Sequence, residues 1–312
     1  MNKSILTLTV NPAIDRIITV DRLVFEDRAY ILSTTEAAGG RGINAARVLT
    51  SFGARAMAVT TSGPDVGRKF EEMLKRDGFS TEFVKIRHNI RINLTISDRQ
   101  GLSVKLNELG PQLSKTEMTG IRKAVEKLLP SASWLMLCGS LPPGVDPHFY
   151  TNLIRLATKH NVNTLLDTDG DPLLHGIEGA PTLVSPNQSE AERLLNRALI
   201  TRSHWIEAVR QIKTMGPKYV VLSLGSRGVV AASDQGVVEV VPPRVEALSP
   251  IGAGDALAAA LVWSMDRCES FEDALRWGVA AGTASAKLPG INLASMEQAR
   301  EIHPQVTIAQ TT

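Results

Sequence analysis

The chain has 312 residues, 43% of them apolar and 21% charged, with a formal net charge of +2; that length favours one large domain with a smaller appendage, and the composition is that of a globular protein. Acids and bases are mixed along the chain without a basic block, which excludes an electrostatic footprint for nucleic acid or a membrane surface. No apolar run approaches the ~18 residues of a bilayer span, the start lacks the apolar core of a signal peptide, and the two cysteines, Cys138 and Cys268, stand in no metal-ligand spacing, so a cytoplasmic protein with reduced thiols is expected.

In chain order, Ile5 to Val10 reads as a strand and ends in the turn Asn11-Pro12-Ala13-Ile14-Asp15. Ligands of open α/β sheets bind beyond the carboxyl ends of strands. Asp15 is therefore either an ordinary turn residue or an acceptor for ligand hydroxyls. Ile17 to Thr35 alternates like paired strands with no helix between them. Gly39-Gly40-Arg41-Gly42 then opens a helix over Gly42 to Phe52, striped by Ile43, Ala46, Leu49 and Phe52 and stopped at Gly53. The glycines allow close helix packing or close approach of a ligand, and Asn44 offers both donor and acceptor.

Asn89 to Glu108 again alternates without a helix, and Arg91 and Asn93, two apart on a strand, face the same way. With Ile17 to Thr35 it predicts a small separate sheet. Ser114 and Glu117 form a capping box for a helix ending at Pro130. Trp134 to Cys138 is a buried strand, capped by the rigid run Gly139-Ser140-Leu141-Pro142-Pro143-Gly144. Asp146 as cap and Pro147 at the first position open a helix to about His160. Asn163 to Leu166 and Thr182 to Val184 are short strands. Asn187 caps the next helix with Glu190 completing a box, or the two order the water shell of a Mg²⁺ ion. Tyr219 to Leu224 is a strand leading to Gly225-Ser226-Arg227-Gly228, a plain turn or a nucleotide wall. Val229 to Ala232 and Val237 to Val241 form a hairpin near the sheet edge. Residues from about Val306 are expected to be loose. Strands alternating with helices predict a parallel sheet covered on both faces.

The strongest chemical signal is Ile251-Gly252-Ala253-Gly254-Asp255, a glycine turn running into a small-residue helix. Bare backbone amides at a helix start, with the helix dipole behind them, suit an anion such as a phosphoryl group in transfer. Asp255 either completes the helix terminus or serves as a base there. The chain has neither the Gly-x-x-x-x-Gly-Lys-Ser/Thr run of a P-loop nor a Gly-x-Gly-x-x-Gly after its first strand.

Taken together, these segments resemble the PfkB (ribokinase-like) family of carbohydrate kinases from Asn11-Pro12 to Gly282, and most closely its phosphosugar branch: 1-phosphofructokinases, tagatose-6-phosphate kinases and minor 6-phosphofructokinases. The resemblance rests on the Gly39 to Asn44 and Gly252 to Asp255 runs, with support from Thr9 to Asp15, Arg91-Ile92-Asn93, Asn107 to Pro111, Gly139 to Gly144 and Ser185 to Gln188. It implies a Rossmann-like three-layer α/β domain with a small β-sheet lid from about 15–36 and 89–110. The implied reaction is ATP-dependent phosphorylation of a sugar phosphate, fructose 1-phosphate to fructose 1,6-bisphosphate, with tagatose 6-phosphate and fructose 6-phosphate as alternative acceptors. A sugar-phosphate or nucleotide sensor with the same fold is the alternative of another class. By motif position, Asp15, Gly39, Gly40, Asn44, Arg91, Asn93, Asn107 and Ser140 would hold the sugar phosphate. Asn187, Ser223, Gly225, Gly228 and Gly254 would border ATP, and Asn187 and Glu190 would organise Mg²⁺ through water. Gly252, Ala253 and Gly254 would form the anion hole, with Asp255 as base, and a homodimer would form through the lid. Three positions depart from the branch: Ser185 and Arg41 stand where it usually carries Lys, and Pro250 where it carries Thr.

Overall fold

The structure, a computed structural model, describes residues 3–24 and 26–311. β1 (Ser4–Thr9) starts a large sheet. The chain leaves it for β2 (Ala13–Val20) and β3 (Ile31–Gly39), then returns through α1 (Arg41–Ser51), β4 (Ala56–Ser62), α2 (Asp65–Leu74) and β5 (Ser80–Lys85). A second excursion makes β6 (Arg91–Asp98) and β7 (Ser103–Asn107). Helices and strands then alternate through α3 (Lys115–Leu128), β8 (Ala132–Cys138), α4 (Phe149–Lys159), β9 (Asn163–Asp167), α5 (Gly170–Ile177), β10 (Leu183–Val184), α6 (Gln188–Leu195), α7 (Arg202–Thr214) and β11 (Tyr219–Ser223). The hairpin β12 (Val229–Ser233) and β13 (Gly236–Val241) precedes α8 (Ala253–Asp266), α9 (Phe271–Ala286), α10 (Met296–Ile302) and β14 (Thr307–Thr311).

The large sheet runs β14-β13-β12-β11-β10-β9-β8-β1-β4-β5, parallel from β11 to β5 and antiparallel from β11 to β14. Its central strands are buried on both faces, so β8 reads as an unbroken apolar run with Trp134, Leu135, Met136 and Leu137 all enclosed. The two interruptions form a sheet of their own, ordered β3-β2-β6-β7, in which β2 and β6 pair in parallel and set Ala13 opposite Arg91 and Asp15 opposite Asn93. Cys138 is buried and Cys268 exposed, both as free thiols. No helix among the described residues is long and apolar enough to cross a membrane.

Two expectations are corrected. Asp146 does not cap the helix directly: its carboxylate accepts the His148 amide at 2.9 Å, closing a local turn, and α4 starts only at Phe149. Its short side chain is satisfied two residues on, so it cannot serve the amides of a continuous helix. The tail is also ordered. β14 pairs with β13, Ile308 opposite Val240, and Val306 is buried behind it. An uncovered β13 would be an open sheet edge, and the tail closes it.

A chain ending at Gln305 should therefore lose hydrogen-exchange protection at the β13 amides that face β14, by an order of magnitude or more. Unchanged protection would show that the tail does not pair in solution.

Candidate active site

Parallel strands place their carboxyl ends along one edge of the sheet, and the loops after β1, β8, β10 and β11 carry Asn11, Ser140, Asn187 and the Gly225 turn to that edge, with Asp167 at the end of β9 beside them. The register therefore brings together residues from five separate stretches of sequence.

Asp255 lies in the first turn of α8. Gly252 adopts φ 76 at the cap, a left-handed conformation that turns the chain into the helix. The Gly254 and Asp255 amides find no acceptor among the described residues, as expected of a helix start. A Cβ on Gly254 would meet nothing within 4 Å, so the space before these donors is open. Asn44 Nδ2 donates to Asp255 Oδ2 at 2.7 Å, while Arg47 donates to Asn44 Oδ1 at 3.0 Å and fixes the amide's orientation. Asp255 Oδ1 has no partner among the described residues. Withdrawal from water pushes the Asp255 carboxyl up to about 7, helped by the negative charge of Asp167 and opposed by the Asn44 hydrogen bond and Arg41. A carboxyl titrating there is matched to general-base work at neutral pH.

On the small sheet, Asn93 Nδ2 donates to Asp15 Oδ1 at 2.9 Å. Burial raises the Asp15 pKa against the lowering effects of Asn93 and Arg91. Gly39 is required by this carboxylate: a Cβ there would lie 2.0 Å from Asp15 Oδ2. Gly40, at φ 127, would clash instead with Thr9. Arg91 donates to the carbonyls of Glu108 and Asn11, both at 3.1 Å, and its Nε is buried without a partner, as are Asn93 Oδ1 and Asn11 Oδ1. Such atoms call for a polar ligand. Arg91 lines a cavity of about 500 Å³ with His88, Asn89, Glu108 and Gln112. Asn11 also reaches Ser140 Oγ at 3.3 Å. Asn107 sits opposite Asn93 on β7, with its side chain exposed.

A larger cavity, about 1060 Å³, opens at the first turns of α8. Asn187, Ser223, Gly225 and Gly228 line one wall, and Ala253 and Gly254 stand opposite over an apolar floor of Leu257 and Val279. Gly228 has a packing duty too, since a Cβ would lie 2.0 Å from the Val240 carbonyl. Asn187 and Glu190 form a complete capping box. Glu190 Oε2 accepts the Asn187 amide and Oε1 accepts Arg41 Nη2 at 2.8 Å. A carboxylate has about four acceptor sites, so Glu190 can still receive a metal-bound water, and the residues fit a water-bridged Mg²⁺ ion.

Sequence reasoning missed Asp167 and the pairing of Arg41. Arg41 Nη1 donates to Asp167 Oδ1 at 2.7 Å, so one guanidinium spans the ends of β9 and α6. The signal for Asp167 was present: an acid at the carboxyl end of a strand, the rule that singled out Asp15.

The pfkB family of carbohydrate kinases matches the chain over residues 8–299. The 1-phosphofructokinase of Vibrio cholerae is 27% identical over 99% of this chain and 98% of its own length. A tagatose-6-phosphate kinase of Staphylococcus epidermidis is 28% identical over 98% and 99%. The crystal structure of Escherichia coli phosphofructokinase-2 in complex with potassium superposes with a TM-score of 0.92 at 29% identity, covering 97% of this chain and 99% of that one.

The raised carboxyl has a consequence for stability. Folded Asp255 keeps its proton up to about 7, whereas the unfolded side chain loses it near 3.8. Folding takes up a proton between these values, so this residue's contribution falls as pH rises through that window. Asp255→Asn should therefore unfold at higher temperature than the parent near pH ~8, by on the order of 2 kcal/mol after allowance for its partial exposure, and the gain should vanish below pH ~4. A gain independent of pH would contradict the raised value.

Proposed function

The chain belongs to the pfkB family of carbohydrate kinases, and we propose that this ATP-dependent sugar kinase phosphorylates a hexose that already carries a phosphate, fructose 1-phosphate before tagatose 6-phosphate or fructose 6-phosphate. The observation that carries this reading is the buried, unpartnered Nε of Arg91 beside Asp15 and Asn93. A guanidinium can grip an existing phosphate through two nitrogens, while Asp15 and Asn93 accept and donate to hydroxyls. A substrate without a phosphate would leave that group unsatisfied.

Asp255 is the base. Its Oδ1 accepts the proton of the attacking hydroxyl as that oxygen bonds the γ-phosphorus of ATP and the bond to the β-phosphate oxygen breaks, releasing ADP. Of the Gly252 to Gly254 amides expected to form the anion hole, that of Ala253 already donates to the Pro250 carbonyl at 3.3 Å, so the free amides of Gly254 and Asp255 take up charge on the transferring phosphoryl oxygens; Gly252 and Ala253 shape the turn that presents them. The nucleotide occupies the larger cavity against Asn187, Ser223, Gly225 and Gly228. Mg²⁺ held through water by Asn187 and Glu190 would neutralise phosphate charge there. The small sheet acts as a lid that excludes water and so limits hydrolysis of ATP.

The two outer strands of that sheet expose apolar side chains, Ile31 and Leu32 on β3 and Val104 and Leu106 on β7. We assign this face to a second copy of the chain in a homodimer within the cytoplasm, since monomers rarely leave such a patch open.

Asp255→Asn should lower kcat by about 10²- to 10⁴-fold with the fold intact, and near-normal turnover would remove Asp255 as base. Coupled ADP-release assays across the three sugar phosphates and unphosphorylated fructose identify the acceptor. Arg91→Ala should raise KM for phosphorylated acceptors by roughly 10- to 100-fold and leave unphosphorylated ones unaffected. Sugar-phosphate binding without ADP release would favour a sensor. Leu106→Asp should give a monomer by light scattering if the lid is the dimer interface.

A further inference from the structure

One cation stands at the centre of the buried acids. Arg41 enters from the start of α1 and meets Asp167, at the end of β9, and Glu190, in the first turn of α6. Both acids are buried, and each is held by a different nitrogen of the same guanidinium. Ser185, on the strand end beside Asp167, is buried and brings no charge; its amide bonds the Leu166 carbonyl at 3.2 Å. Arg41 lies three residues before Asn44 on α1, one turn from the amide that donates to Asp255 at 2.7 Å; the other groups around Asp255 are, behind Asn44, Arg47 on α1, Asp15 on β2, Asp167 on β9 and the Cys138 thiol on β8. Arg41 is held protonated by Asp167 first and then by Glu190 and Asp255, against its own burial.

Resting on the reading of Asp255 as the base, we propose that Arg41 is a positioning residue: by clamping Asp167 and Glu190 with two nitrogens it sets the charge around Asp255, and so decides when that carboxyl is free to accept a proton. Arginine meets this need because its planar fork presents a separate nitrogen to each acid; lysine keeps the charge but gathers its donors on one atom and loses that fixed geometry. Losing the cation leaves two buried acids facing each other with nothing between them. The Arg41 charge favours ionised Asp255, whereas the Asp167 charge disfavours it. Removing one or the other must therefore move Asp255 in opposite directions.

The test measures Asp255 twice: by the acidic limb of the kcat/KM profile, and by carboxyl ¹³C titration of the protein alone, its signal assigned by its absence in Asp255→Asn. Arg41→Gln should move both upward by roughly half a unit to one unit, the effect of a charge nearby but not in contact. Asp167→Asn should move both downward. Arg41→Gln/Asp167→Asn should return them close to the parent. Arg41→Lys should keep the parent limb but melt at lower temperature. A folded Arg41→Gln with an unmoved titration, or the two single variants shifting the same way, overturns the proposal. If Arg41→Gln does not fold, Asp167→Asn decides, and an unmoved or raised titration there overturns it. Full turnover by Asp255→Asn would refute the base while the ¹³C shifts still judged the role of Arg41.

Discussion

The 2.7 Å hydrogen bond from Asn44 to Asp255 joins residues 211 positions apart, and the site depends on it. It ties the start of α1 to the start of α8, so the two glycine-rich turns that open these helices face one cleft. The helices are also pinned at their far ends, where Phe52 meets Trp263 edge-on at 5.3 Å and Trp263 meets Trp277 at 5.2 Å. Rigid packing at one end lets the other end keep donors, acceptors and a partly desolvated acid in place without a ligand. That arrangement is costly in isolation, because Asp255 stands near both Asp167 and Asp15, and Glu190 stands near Asp167. Asn44, Arg41 and Asn93 offset the cost through bonds whose partners come from other elements.

The two sheets divide the work. The parallel sheet gathers loop ends along one edge, which brings the larger cavity and the carboxylates to the α8 terminus. The small sheet carries Asp15, Asn93 and Arg91, and the parallel pairing of β2 with β6 aligns them. A slip of one residue in that pairing would turn Asn93 away from Asp15. Glycines serve both sheets for different reasons. Gly39 leaves room for a carboxylate at the site, whereas Gly228 leaves room for a backbone carbonyl in a hairpin, although both sit in glycine-rich turns of similar appearance.

Much of the scaffold was legible from local pattern. The unbroken apolar run of β8, the capping box at Ser114 and the hairpin of β12 and β13 each carry their signal within a few residues. The helix before Phe149 was less legible, because Asp146 can satisfy either a turn or a helix and the choice lies in backbone geometry. The pairing of the tail is less legible because Val306-Thr307-Ile308 is only a short β-branched run; the open edge of β13 calls it into the sheet. Among the site residues, Asp255, Asn44 and Asp15 stand in glycine-rich or strand-end contexts that point to ligands. Asp167, at the end of β9, stands in the same context.

The sequence by itself determined the alternation of strands and helices, the glycine turns and the acid at the head of α8, because each follows from steric and hydrogen-bonding preferences of neighbouring residues. Tertiary structure alone decided which charges share a volume. Arg41 bridges Asp167 and Glu190 across 126 and 149 residues, and no local propensity encodes a contact made between the ends of separate elements. The carboxyl of Asp255 owes its raised pKa to the same cause: its affinity for a proton depends on how much water and which charges the fold leaves around it.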